Sequence, residues 1–293
     1  MNPATKLKAW AQFLREIRAF LDERGFFEVS TDYLVQAGAF ESTLDPLKVT
    51  YSTGHCELHT SPEIEMKRAL AETNLSIYQI CKSFRDDPIT GVHQREFTML
   101  EFYRISSDYR MTIQDMKELL QRVAHRTLNF EEYTIQEAFL RATGIDLDRV
   151  REVTAFRDEI QRRQLSLVSL DDAWDDLFFK LMMEKVEPSL SAEIPTLLKD
   201  YPASLCALSK IDNRGYAERF EIYWHSMELC NGCTELDDLA ELKTRYEQES
   251  RARRQKGKEP HPVPANLFQA LESLPPCSGV AVGLDRLFKC LHS

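Results

Sequence analysis

No run of apolar residues in this chain of 293 approaches the roughly 20 that cross a bilayer as a helix, which excludes a helical span. The first residues lack the succession of charged, apolar and small residues that marks a secretory signal, so the expected location is the cytoplasm. A basic excess is missing too. The formal net charge is −10, whereas a protein that wraps a polyanion carries surplus lysine and arginine, because phosphate contacts supply most of that affinity. Stable nucleic-acid binding is therefore not expected. The basic run at 245–258 (RYEQESRARRQKGK) reads as a local patch or, equally, as a solvated helix followed by a loop. Seven cysteines, an odd number scattered through apolar segments, argue against a disulfide framework. Cys230 and Cys233 form a CxxC without the second ligand pair a structural zinc requires and without a thioredoxin-like setting. The remainder is ordinary for a globular protein, with 43% hydrophobic and 29% charged residues, enough for one large domain or two modest ones.

The most informative stretch runs from Phe84 to Arg104 (FRDDPITGVHQREFTMLEFYR). Before it, residues 76–84 set Tyr78, Ile80 and Phe84 at period two and predict a strand. After its loop, Phe97, Met99, Glu101 and Tyr103 alternate with Leu100 and Phe102, predicting a second strand that aims a carboxylate and a phenol into one space. The loop between them carries Arg85, Asp86, Asp87, His93, Gln94, Arg95 and Glu96. Taken alone, it reads as a solvated hairpin loop, although a tight turn needs far less charge.

Elsewhere, apolar spacing of three and four from Leu7 to Leu21 predicts a helix over 5–25, stopped by Gly25, and then a strand over 26–29. Residues 35–56 read as irregular. His59-Thr60-Ser61-Pro62-Glu63 follows, with Ser61 as N-cap and Pro62 in the first helical position. A helix is expected over 111–130 and a helix-rich region over 135–200, where DDAWDD at 171–176 opens an apolar helix. A strand is expected over 202–208. If the chain then turns near Trp224–His225, Glu221 and Glu228 face each other across a hairpin, repelling unless a cation such as Mg²⁺ lies between them or both are solvated. Finally, the small residues of 278–283 read equally as a buried glycine-bearing strand or as one whose backbone a nucleotide can approach.

The order Phe-Arg-x-acid, His, Glu-Phe-Thr-x-x-Glu-x-Tyr resembles motif 2 of class II aminoacyl-tRNA synthetases, within the lysyl branch. The helix and strand over 5–29 resemble motif 1, and 278–287 resembles motif 3. Glu-Leu-x-Asn-Gly-x-x-Glu-Leu at 228–236 is similar to the lysyl substrate and metal segment. Together with Glu247–Arg251 and Pro260-His261-Pro262, the layout resembles the elongation factor P lysine ligases, stand-alone paralogues of lysyl-tRNA synthetase. The resemblance implies an α+β fold, an antiparallel sheet flanked by helices, as one catalytic domain over 1–293 without an anticodon-binding domain, forming a homodimer. It implies ATP- and Mg²⁺-dependent activation of lysine or (R)-β-lysine and transfer to a lysine side chain of elongation factor P, without stable tRNA binding.

Carried over residue by residue, the catalytic groups are Arg85 and Arg286. The substrate meets Ser61, Pro62, Glu63, Glu101, Tyr103, Asn231, Glu235 and Ala281. ATP meets Arg85, Asp86, Asp87, His93, Gln94 and Phe97 from motif 2, with Glu228, Leu229, Gly283 and Arg286, and the metal meets Glu221 and Glu228. Departures from the family pattern are Asp32 in place of the motif 1 proline, Asp87, Gln94-Arg95 and Cys233, whereas Ala281 follows the ligases rather than the synthetases. Two rivals are a free-standing amino-acid ligase with a small-molecule or tRNA acceptor and a non-catalytic regulatory paralogue. The intact Arg85, Glu221, Glu228 and Arg286 speak against the latter.

Overall fold

A computed structural model of the chain describes residues 2–88 and 94–292. They form two compact units, Met1–Thr127 with Gly232–Ser293, and Leu128–Asn231. The first opens with helix α1 (Pro3–Asp22), whose start is fixed by the Asn2 side chain accepting the Thr5 N–H at 2.9 Å. Its apolar stripe buries Phe13, Ile17, Phe20 and Leu21. Leu7, on that stripe by spacing, is 70% exposed, because the first turns project beyond the core and burial begins only at Ala9. The helix ends at Asp22, before the residue 25 expected. Gly25 then takes φ +76° while Phe26 N–H returns to the Leu21 carbonyl.

Strand β1 (Phe27–Glu28) is short. Residues 35–56 are less irregular than expected, since β2 (Leu34–Val35), β3 (Lys48–Tyr51) and β4 (Gly54–Leu58) make a small antiparallel sheet in the order β2-β4-β3. These strands are short and largely exposed, so their sequences show no apolar alternation. Helix α2 (Glu63–Thr73) leads to the central pair, β5 (Ile77–Phe84) and β6 (Glu96–Ile105), which are antiparallel with Ile77 opposite Tyr103 and Gln79 opposite Glu101. Helix α3 (Tyr109–Ala124) stops at His125, which takes φ +50°, rather than continuing to 130.

The second unit holds β7 (Glu131–Thr134), α4 (Ile135–Thr143), α5 (Val153–Arg163), α6 (Trp174–Leu181), β8 (Thr196–Pro202) and β9 (Tyr216–Trp224). Its core gathers around Phe139, which stacks on Phe178 with ring centroids 4.7 Å apart. The acidic start of α6 is as expected: Asp175 and Asp176 lie in its first turn, and Asp176 accepts the Ala173 N–H. The strand expected over 202–208 is absent. Pro202 is the last residue of β8, and Ala203–Leu205 forms one turn of 3₁₀ helix that buries Leu205. Proline has no N–H to carry the ladder onward.

Strand β10 (Met227–Thr234) returns the chain to the first unit at Gly232, followed by α7 (Leu239–Gln255), α8 (Ala265–Leu271), β11 (Cys277–Gly283) and α9 (Leu284–Leu291). Strand order is β1-β5-β6-β11 in the first unit and β10-β9-β8-β7 in the second. Only β1 with β5 and β7 with β8 run parallel among the pairs described, so the sheet is antiparallel-dominated and flanked by helices, as the resemblance implied.

Candidate active site

Period two in β6 sets Glu101 and Tyr103 side by side, and the register decides what meets them. On β5 it is Ile77 and Gln79 that share their face, not the apolar row of Tyr78, Ile80 and Phe84 singled out by the sequence pattern. On β11, Gly279 lies opposite Tyr103 and Ala281 opposite Glu101. A Cβ at Gly279 would come within 2.4 Å of the Tyr103 ring and 2.7 Å of Glu235 Oε1. The missing side chain at this position therefore accommodates a phenol and a carboxylate of the protein itself, which corrects its assignment to nucleotide approach. At Gly283 a Cβ would make only ordinary contact, 3.6 Å from the Arg286 side chain.

Four charged side chains converge here. Glu101 is 2% exposed and Glu235 3%. Ser61 Oγ donates to Glu101 at 2.5 Å and accepts the Glu63 N–H at 3.0 Å, but the N-cap position itself is held by Pro62, buried, so Ser61 stands one residue before the cap expected of it and Pro62 just before the helix rather than inside it. Tyr103 OH donates to Glu101 at 3.1 Å. The fourth group is Lys67, 1% exposed, whose Nζ lies 2.7 Å from Glu63 and 2.6 Å from Glu235. Sequence reasoning gave Lys67 no role. The available signal was its position one turn after Glu63, where α2 carries side chains on a single face.

Burial, and then the nearby Glu63 carboxylate, push Glu101 up to about 8. Burial also raises Glu235, against the pull of Lys67. The Cys233 thiol donates to Glu235 at 3.5 Å, and burial followed by that carboxylate holds it well above the ordinary thiol range. Between the ordinary glutamate pKa and about 8, folded Glu101 keeps a proton that the unfolded chain has released, so its contribution to stability falls as pH rises through that window. Glu101→Gln is expected to remove this falling limb. In urea titrations without ligand, the variant should gain on the order of 1–2 kcal/mol over wild type between pH 5 and pH 8.5, while losing amino-acid activation.

Arg85 leaves the end of β5 with its guanidinium 5.2 Å from the centre of the Phe97 ring. Its Nε is buried with no hydrogen-bond partner among the described residues, a donor ready for an anion. Asp86 gives its N–H to the Asp45 carbonyl at 2.7 Å and pairs through its carboxylate with Arg95 at 3.2 Å. Asp87 is half-buried and Gln94 exposed, while His93 lies outside the described residues. Arg286 is half-buried on α9, whose Asp285 accepts the Thr98 N–H at 2.6 Å and so ties that helix to β6.

The loop that receives Asp86 is held from α7. Arg253 donates to the carbonyls of Ser42 and Leu44 and to Asp45, and Glu249 accepts the Ser42 N–H at 2.5 Å. His261 Nε2 lies 3.0 Å from the Glu41 carbonyl. Arg245 and Arg253 are both buried, so the basic run at 245–258 is neither a solvated helix nor a free patch at these positions.

In the second unit the hairpin turns at His225 and Ser226, both with positive φ, one residue later than expected. Glu221 already has a cation, because Arg219 pairs with it at 2.6 Å, and Tyr223 OH donates to it at 2.7 Å. Arg219 Nε also donates to Asn231 Oδ1 at 3.2 Å. Leu229 is 1% exposed, which leaves only its backbone for any ligand. Glu228 is half-buried. All seven thiols are free.

The family model described as tRNA synthetases class II (D, K and N) matches residues 2–293. The chain is similar to a protein of Aquifex aeolicus (strain VF5) named elongation factor P–(R)-β-lysine ligase homolog, with 37% identity over 286 residues, covering 96% of this chain and 94% of the relative. A class II layout of strands, an acid-rich pocket under motif 2 and a match over nearly the whole length agree: the chain belongs to the class II tRNA synthetase family, in the branch of the elongation factor P–(R)-β-lysine ligases.

Proposed function

We propose that this protein activates lysine or (R)-β-lysine with ATP and transfers the aminoacyl group to a lysine side chain of elongation factor P. The observation that carries the reading is the set Glu63, Glu101 and Glu235, the last two buried and the first half-buried, three carboxylates of which Lys67 offsets only one charge. A ligand with two ammonium groups supplies what is missing, and its arrival drives the proton from Glu101. Ser61, Pro62, Tyr103 and Ala281 shape the rest of the pocket.

In the first step the substrate carboxylate attacks the α-phosphorus of ATP and pyrophosphate leaves. Arg85 and Arg286 offset the developing charge, Phe97 offers a face to adenine, and Asp86, Asp87, His93, Gln94 and Gly283 border the nucleotide. Glu221 and Glu228 would be the oxygen donors for an Mg²⁺, which would supply positive charge against the phosphates, with Glu221 exchanging its Arg219 contact for the metal. Among the described residues no group of three or more His, Cys, Asp or Glu is placed to hold a metal alone. In the second step the acceptor amine attacks the acyl carbon and AMP leaves. No side chain acts as a nucleophile, so catalysis is positioning and electrostatics. The active form is a homodimer working in the cytoplasm as a single catalytic unit.

Transfer of labelled lysine or β-lysine from ATP-charged protein to elongation factor P, lost when the acceptor lysine is replaced, tests the second step. Label on tRNA or a small molecule instead would favour the free-standing ligase. Given the net charge of −10, no tRNA binding tighter than about 1 µM is expected in filter binding at roughly 150 mM salt. Sub-micromolar binding would reverse that ranking.

A further inference from the structure

We infer that Lys67 is the positioning residue of the ammonium pocket: lodged between Glu63 and Glu235, it holds both carboxylates as oriented anions and limits how many positive charges the pocket accepts. This rests on the function proposed above and adds a residue to it. A lysine at 1% exposure is rare unless paired, and this one is paired twice, at 2.7 Å and 2.6 Å. The groups facing it are Glu63 on its own helix, Glu101 and Tyr103 from β6, and Cys233 and Glu235 at the end of β10. With every group ionised, three carboxylates and one ammonium leave two negative charges, the complement of a diamino acid whose own carboxylate is met by arginine.

Without Lys67, Glu63, Glu101 and Glu235 would confront one another with no internal counter-ion. Mutual repulsion would then be relieved by uptake of protons, the response Glu101 already shows in part. Burial alone disfavours the Lys67 charge, but Glu235 and Glu63 outweigh it and hold its pKa well above the ordinary lysine range. The ammonium is therefore a permanent fixture across the working pH, and Glu101 and Glu235 beside it are the carboxylates that burial raises. Ser61 links the same helix to Glu101, so a shift of the Lys67 contacts would be felt by all three acids.

The test is ATP–pyrophosphate exchange in wild type and Lys67→Met from pH 6.5 to pH 9.5. At pH 7 the amino-acid KM is expected to rise about 100-fold, with the ATP KM within about two-fold of wild type. The KM-against-pH curve should move up by at least about one unit, so that the deficit narrows at the alkaline end. In Lys67→Ala, propylamine should restore exchange and propanol should not, since only the former returns an ammonium to the vacated space. An unchanged amino-acid KM, or a loss equal at every pH and shared by ATP, overturns the inference and leaves Lys67 a structural tie. Should Lys67→Met not fold, Lys67→Arg decides: it keeps the charge but displaces it, so a wild-type KM there contradicts a positioning role and a raised KM with normal ATP affinity supports it. Wild type inert toward every amino acid would instead overturn the proposed function, a separate outcome.

Discussion

Arg85→Ala is expected to lower amino-acid-dependent ATP–pyrophosphate exchange by at least about 10³-fold, equivalent to about 4 kcal/mol of transition-state stabilisation, with the fold intact. Attack of a carboxylate on a phosphate concentrates negative charge in the transition state, and a fixed guanidinium meets it with paired, planar donors. The structure prepares such a group. Arg85 Nε is buried without a partner among the described residues, and the guanidinium lies over the Phe97 ring, which restrains its plane. An arginine kept for stability alone would have that donor satisfied. Arg85→Lys should recover only a small part of the activity, because an ammonium is a point charge without the fork. Near-normal exchange in Arg85→Ala, with an unchanged circular dichroism spectrum, would contradict the assignment.

The second large effect concerns the pocket. Lysine or β-lysine should be activated at least about 100-fold more efficiently than norleucine, which has the same apolar reach and no distal ammonium. A neutral ligand would leave Glu101 protonated and gain no ion pair from it, whereas a distal ammonium exchanges that proton for a buried charge pair, a difference of a few kcal/mol. Glu235→Gln should weaken that discrimination, since it removes a counter-charge while keeping the shape. Ala281 lies opposite Glu101 on β11, so Ala281→Gly should shift the preference between α- and β-amino acids with little effect on ammonium selectivity. Competition between the amino acids on wild type and both variants measures all three effects.

Arg85 was singled out by the resemblance of its loop, whereas that Glu101 and Tyr103 share a face was legible in the sequence because a strand of period two leaves few choices. The strand pair was legible for the same reason, yet the choice of face on β5 was not. There the apolar row of Tyr78, Ile80 and Phe84 drew attention away from Gln79, which the register sets opposite Glu101. Lys67 and Arg253 escaped notice because a basic residue on a helix reads as solvated, and only the tertiary arrangement of acids and carbonyls reverses that. Gly279 announced a close approach that was assigned to a nucleotide, and the structure supplies Tyr103 and Glu235 instead. The strands over 34–58 are too short and exposed to pattern, and the strand expected after Pro202 failed because Leu205 and Leu208 are buried from a turn and its exit instead.

The most direct measurement is ATP–pyrophosphate exchange with the wild-type chain across lysine, (R)-β-lysine, norleucine and a panel of neutral and acidic amino acids. Exchange driven by a diamino acid at least about 100-fold above norleucine is the expected result. Norleucine as effective as lysine, or no exchange with any amino acid, would contradict the ammonium pocket on which the proposed function rests.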